Sequence, residues 1–266
     1  MSSDSGPPSL QRRLREEGAF AVVSPHLDDA VLSCGRLLSE NPGAHVVTVF
    51  SAGPSSVEPL PEWDAASGCF QPGDDVMALR AVEDDRALGL LDARPHRLGF
   101  WDVQYREPPE RYGRLGGWRR RSRTSRARDA RLVAAVGTAL ESLVAELPLR
   151  TWIVPLGLWH ADHKCTARAC LELAGRWTDR HWVVYEELPY RLEVPDEAAA
   201  ARHAIESAGF LCRSTELASG ESRKAAALQR YVSQIPCLGD RVEAATSGAE
   251  VYHELLPAGR PLTTSR

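Results

Sequence analysis

This chain lacks any apolar run of the roughly 20 residues that a bilayer span requires, and its first residues, Met1-Ser2-Ser3-Asp4-Ser5-Gly6-Pro7-Pro8, lack the apolar core of a signal peptide. Both absences point to a cytoplasmic protein without a membrane span. Neither charge dominates: the net charge is −4 over 266 residues, which gives no global case for nucleic-acid or membrane-surface binding. The six cysteines (Cys34, Cys69, Cys165, Cys170, Cys212, Cys237) form no C-x-x-C pair and no disulfide-like spacing. Cys165 and Cys170, five apart, would diverge by about 140° on a helix. All six read as reduced, mostly buried thiols. There is no internal repeat. No G-x-G-x-x-G follows the first apolar run either, which argues against a dinucleotide-binding turn.

What is present is ordinary globular composition, 43% hydrophobic and 26% charged, in enough chain for one large domain with a full core. A polar arm (1–18) precedes a domain over 19–256, and a tail (257–266) follows. Strands are expected at 19–24, 45–50, 94–100, 151–155, 181–185 and 210–216. Helices are expected from Asp29 past Leu38, from the Gly73-Asp74-Asp75 cap to Leu90, and over 129–147, 162–177, 196–207 and 221–234. Gly35 should let its helix approach the sheet, and 51–72 reads as a loop. Strand and helix alternate, so the expected fold is α/β, a Rossmann-like, mainly parallel sheet with helices on both faces, in a single domain.

The chemistry sits at two strand ends. Ser24-Pro25-His26-Leu27-Asp28-Asp29 closes the apolar run Phe20-Ala21-Val22-Val23, and His160-Ala161-Asp162-His163 follows Thr151-Trp152-Ile153-Val154-Pro155. In open α/β sheets, ligands bind outside the carboxyl ends of the strands. Zinc takes neutral imidazole and carboxylate ligands, and a catalytic zinc keeps one position for water. His26, Asp29 and His163 would give such a His₂Asp site. Adjacent Asp28 and Asp29 point in different directions, so one can hold the metal while the other takes a proton from water.

Pro-His-x-Asp-Asp answered by His-x-Asp-His resembles the LmbE-like or PIG-L family of zinc-dependent N-deacetylases, over residues 19 to 240. The resemblance implies His26, Asp29 and His163 as metal ligands and Asp28 as general base. It implies that His160 protonates the leaving amine or steadies the oxyanion, with Asp162 orienting its imidazole. Ala30 stands where the family usually has Glu, and Ala161 where it has Pro. Arg80, Glu83, Ala87, Leu88 and Gly89 resemble a helical family pattern in which Arg80 holds sugar hydroxyls; as a plain helix face, the alternative is a surface ion pair. Asp102, in Leu98-Gly99-Phe100-Trp101-Asp102, is expected to bind substrate hydroxyls as well. Lys224, Leu228, Tyr231, Ser233 and Gln234 resemble a late pattern, with Tyr231 where His is usual, and an amphipathic helix accounts for them.

The segment 101–127 reads as a basic loop or lid. Arg119, Arg120 and Arg121, beside Gly116-Gly117 and Trp118, are either a solvated charge run or a flap gripping an anionic substrate group. The expected function is metal-dependent hydrolysis of an N-acetyl or other N-acyl group from a glucosamine-type sugar or glycoconjugate, in bacterial secondary or thiol metabolism. The expected cofactor is Zn2+, with Fe2+ or another divalent ion as the alternative. The expected partner is that small molecule, with no nucleic acid and no membrane; a homo-oligomer is compatible with this. The alternatives are an amidase for thiol conjugates or N-acylated natural products using the same metal site, and a catalytically inactive metal-binding or nucleotide-binding α/β protein.

Overall fold

A computed structural model describes residues 9–106, 123–218 and 223–257, with side chains from 128 and up to 256 at two of those borders. The chain runs α1 (Leu10–Glu17), β1 (Ala21–Ser24), α2 (Asp29–Glu40), β2 (His45–Thr48), α3 (Glu62–Ser67), α4 (Val76–Leu90), β3 (Arg94–Arg97) and α5 (Val103–Arg106). It continues through α6 (Arg123–Glu146), β4 (Thr151–Pro155), α7 (Ala161–Arg176), β5 (His181–Tyr185), α8 (Tyr190–Glu193), α9 (Pro195–Ser207) and β6 (Phe210–Leu217). Last come α10 (Lys224–Leu228), α11 (Ile235–Leu238), α12 (Arg241–Ser247) and β7 (Glu250–Pro257).

Among the described residues seven strands make one sheet, in the order β3-β2-β1-β4-β5-β7-β6. The pairs from β3 to β5 are parallel, and β7 is antiparallel to both β5 and β6. Burial on both faces explains the unbroken apolar runs. Ala21 and Val23 of β1 pack with α6, α7 and α9, whereas Phe20 and Val22 pack with α1, α2 and α10. The chain leaves β1 toward β2 and β3, then returns to β4 on the other side. The adjoining ends of β1 and β4 are therefore a topological switch point, where a crevice opens. No helix among the described residues is long and apolar enough to cross a membrane.

Five local expectations change, the first being that α5 and the start of α6 fall inside the segment 101–127 expected as a loop or lid. The segment 51–72 contains α3, closed by Gly68 in the left-handed region (φ 68°). Of the helix expected over 221–234, the described residues form only α10, because the chain beyond it is pinned to α4: Glu83 accepts from Ser233 N (2.9 Å) and Ser233 Oγ (2.7 Å). Gly35 faces α10 rather than the sheet, where a Cβ would come within 2.6 Å of Lys224 Cγ. Finally, β7 had no sequence counterpart. Its Glu250, His253 and Glu254 are buried because each is paired, with Lys224, Glu186 and Arg213 respectively.

Candidate active site

The first cluster is fixed by a tight strand-to-helix turn. Ser24 Oγ donates to His26 O (2.6 Å) and accepts from Ala30 N (2.9 Å), while Asp29 Oδ2 accepts from His26 N (2.8 Å). The second cluster opens α7, with His160 as N-cap, its Nδ1 accepting from Asp162 N at 3.3 Å. Across the switch point the two clusters meet. Asp29 Oδ2 lies 3.1 Å from His26 Nδ1 and 3.0 Å from His163 Nε2. The three imidazoles gather there too, with ring centroids 4.8 Å (His26–His160), 5.2 Å (His26–His163) and 5.6 Å (His160–His163) apart.

The far nitrogen of each ligand-candidate imidazole has a carboxylate. His26 Nε2 is 3.2 Å from Asp162 Oδ2, and His163 Nδ1 is 3.2 Å from Glu187 Oε1. Such partners fix a tautomer and turn the other nitrogen's lone pair toward a metal. His163 Nε2 is accordingly buried with no hydrogen-bond partner, although Asp29 Oδ2 lies at ion-pair distance. Ligands of a tetrahedral ion at about 2.1 Å stand about 3.4 Å apart. Asp29 Oδ2 stands near that spacing from one nitrogen of His26 (3.1 Å) and one of His163 (3.0 Å), as two ligand pairs of a divalent metal would. The sets whose donor atoms all fall within 4.8 Å of one another are His26, His160 and His163, and His26, Asp102 and Asp162.

The charge of these side chains is set by their neighbours. Burial opposes charging His26, but Asp102, Asp162 and Asp29 overcome it and hold the ring well above its usual range. Burial likewise opposes His163, yet Asp29 and Glu187 push it up to about 9. Burial would raise Asp29, but His163 and His26 hold it well below the usual carboxylate range. Asp28 goes the other way: burial and then Asp29 push it up, with Arg80 and His26 pulling back. Burial, reinforced by His26, drops His160 to about 4, so its imidazole is neutral at pH 7.

Asp162 meets His160 through its main-chain N–H and through the charge of its carboxylate, and that carboxylate also serves His26, Val103 N (3.0 Å) and the Arg106 guanidinium. Arg80 is buried in α4, with Nη1 4.0 Å from Asp102 Oδ2, and Asp28, Asp102 and Asp64 surround its charge. The surface Arg80–Glu83 pair does not form, since both are buried and Glu83 holds Ser233. Asp102 Oδ2 is also 3.8 Å from His26 Nε2.

Several residues at the site carried no assignment in the sequence. Glu187, fully buried, accepts from Gly157 N (2.7 Å) and Leu158 N (3.0 Å) besides facing His163; its place just beyond β5 was the available signal. Arg106 also covers the Phe50 ring at 4.6 Å. Tyr105 donates to Asp64 (2.7 Å) beside Arg80, and Tyr190 meets His163 edge-on, 5.1 Å between centroids. The flap residues Gly116, Gly117, Trp118, Arg119, Arg120 and Arg121 lie outside the described residues.

Residues 21–174 match the family model described as PIG-L: GlcNAc-PI de-N-acetylase. Among curated proteins none matches. Solved structures do. A deacetylase–bog complex from the teicoplanin biosynthesis pathway is 25% identical, covers 91% of this chain and 99% of its own, and has a TM-score of 0.69. A zinc-inhibited form of teicoplanin deacetylase is 24% identical over 91% and 99%, TM-score 0.66. The deacetylase of the antimicrobial A40926 pseudoaglycone is 24% identical over 92% and 99%, TM-score 0.67. An N,N'-diacetylchitobiose deacetylase from Pyrococcus horikoshii is 14% identical over 96% and 91%, TM-score 0.51.

Proposed function

The chain belongs to the PIG-L family of deacetylases, and from that premise we propose that it hydrolyses the N-acetyl amide of a glucosamine-type sugar or glycoconjugate to acetate and a free amine. The observation that carries this reading is Asp29 Oδ2 between two imidazoles, each with a carboxylate on its far nitrogen, with Asp28 and His160 alongside. The 25% identical deacetylase of teicoplanin biosynthesis supports a glycopeptide-type conjugate, and so a role in antibiotic biosynthesis.

His26, Asp29 and His163 would hold the ion, zinc or ferrous iron. When bound, the ion supplies Lewis acidity toward the amide carbonyl and makes a water acidic enough to lose a proton near neutral pH. Asp28 takes that proton. Burial raises its affinity for a proton, while Arg80 opposes this and favours the ionised resting form, the balance a general base needs. His160 steadies the oxyanion. Its Nδ1 accepts from Asp162 N, so the neutral ring carries hydrogen on Nε2 and donates it. Asp28 then delivers its proton to the departing amine, which balances the hydrolysis. Arg80 and Asp102 hold sugar hydroxyls beside the base.

The test is a mass-spectrometric screen of metal-loaded protein against N-acyl amino sugars and their nucleotide, lipid and glycopeptide conjugates. Asp28→Ala should keep the metal and lose turnover, and His163→Ala should lose both. Absence of amine release from every N-acylated sugar, or full activity in Asp28→Ala, would overturn the reading.

A further inference from the structure

Trp159, at the lip of the crevice, is a bulky residue in the left-handed region (φ 55°) with 42% of its surface exposed. A tryptophan pays steric strain there that glycine would not, and strain of this kind persists only where surrounding contacts impose it. Those contacts are visible on both sides. Gly157 N and Leu158 N are held by Glu187, Trp159 N donates to Glu197 Oε1 (3.3 Å), and His160 N donates to Leu158 O (2.6 Å). One face of the indole is backed by Tyr190, stacked at 5.4 Å and 25°, and Tyr190 in turn rests against His163. The indole centroid is 6.4 Å from that of His160. A rigid, partly exposed aromatic plate thus stands beside the reacting groups.

We infer that Trp159 is a stacking platform for the pyranose ring on the amine side of the scissile amide. This rests on the deacetylase reading above. The apolar C–H face of a sugar ring suits a flat, exposed indole, which gives it contact area while leaving the hydroxyls to polar groups. The sugar half follows from position. Asp28 delivers a proton to the departing nitrogen, and its charge acts on Tyr190, the ring stacked on the plate, so a ring directly attached to that nitrogen is the half of the substrate that comes to the indole. The short acetyl group faces the metal ligands instead. Trp159 therefore sets substrate choice by the amine half and leaves the bond-breaking step alone.

The experiment compares product inhibition of the metal-loaded wild type and Trp159→Gly, with methyl glucosaminide and acetate as separate inhibitors. Glycine relieves the left-handed strain, so Tm should stay within about 2 °C despite the lost ring contact. The inhibition constant for methyl glucosaminide, and KM for its N-acetyl form, should rise about 3- to 10-fold. The kcat value and the constant for acetate should hold. Trp159→Phe should recover most of the affinity. An acetate constant that rises while the glucosaminide constant stays would place the acyl half on the plate and overturn the inference, as would no change in either or a fall in Tm with unchanged KM. A wild type that releases no acetate from any N-acetyl amino sugar refutes the underlying reading, and is seen before any variant is made.

Discussion

Glu187→Gln should weaken metal binding without unfolding the protein. The native carboxylate is fully buried, and its Oε1 accepts from Gly157 N, Leu158 N and His163 Nδ1. Its Oε2 is buried without a partner. Glutamine keeps an oxygen for the two main-chain donors and fits the same space, so the loop at 157–158 stays tied. What is lost is the negative charge that draws the hydrogen of His163 to Nδ1 and makes Nε2 a stronger ligand. Removing such a partner typically costs 10- to 100-fold in metal affinity, or about 1.4–2.7 kcal/mol. Alanine would be a poor choice, because it strands two buried amides at about 1–3 kcal/mol each. The assay is chelator competition at fixed pH, with Tm of the metal-free proteins as the folding control. An affinity within about twofold of wild type, at equal Tm, would refute the claim that this carboxylate governs His163.

Metal affinity should also depend on pH. The ion must displace the proton that Asp29 and Glu187 hold on His163 up to about 9, and the one that Asp102, Asp162 and Asp29 hold on His26, so affinity should rise at least about tenfold per pH unit below 9; calorimetric titration from pH 6 upward would check it, and a flat profile would count against it. Asp84 gives a stability effect of opposite form. Burial pushes it up to about 7 although Tyr231 and Arg97 pull it down. Tyr231 has one hydroxyl hydrogen for Leu27 O (3.1 Å) and Asp84 Oδ1 (2.9 Å), and protonating Asp84 satisfies both. A carboxyl whose folded pKa is raised contributes stability that is complete below its unfolded pKa near 4 and lost as pH climbs through 7. The unfolding free energy from denaturant titrations should therefore fall across that window by up to about 1.4 kcal/mol per pH unit, and Asp84→Asn should flatten the slope. Gly35→Ala should cost about 1–3 kcal/mol by chemical denaturation, because the new Cβ meets Lys224 Cγ at 2.6 Å while Lys224 Nζ is pinned to buried Glu250 at 2.8 Å.

The side chains that gather at the switch point were legible because imidazoles and carboxylates at the ends of apolar runs have few structural uses. Burial on both faces made β1, β2, β4 and β5 equally plain. What the sequence hid was pairing across distance. The resemblance assigns Asp162 to His160, two residues away, and only the crossover reveals that its carboxylate also reaches His26 from the other side of the switch point. Glu187 looks like any charged residue after a strand until the fold buries it. The same applies to β7, whose polar positions disguise a central strand: Glu250, His253 and Glu254 each find a partner far away in the chain. Local periodicity cannot register a charge that is neutralised by a remote neighbour.

The placement of Glu187 separates possession of the proposed metal site from command over it. Residues 21–174, the stretch that matches the family, contain His26, Asp28, Asp29, His160, Asp162 and His163. The carboxylate that steers His163 enters only afterwards, on the turn beyond β5, next to Glu186, which β7 grips through His253 (2.9 Å). A polypeptide cut at 174 would own every donor yet lose this control over one of them. Changes at residues 186, 187 or 253 could thus retune how tightly the ion is kept, and with what proton cost, while leaving the donor atoms untouched. In this molecule the grip can be adjusted independently of the hand.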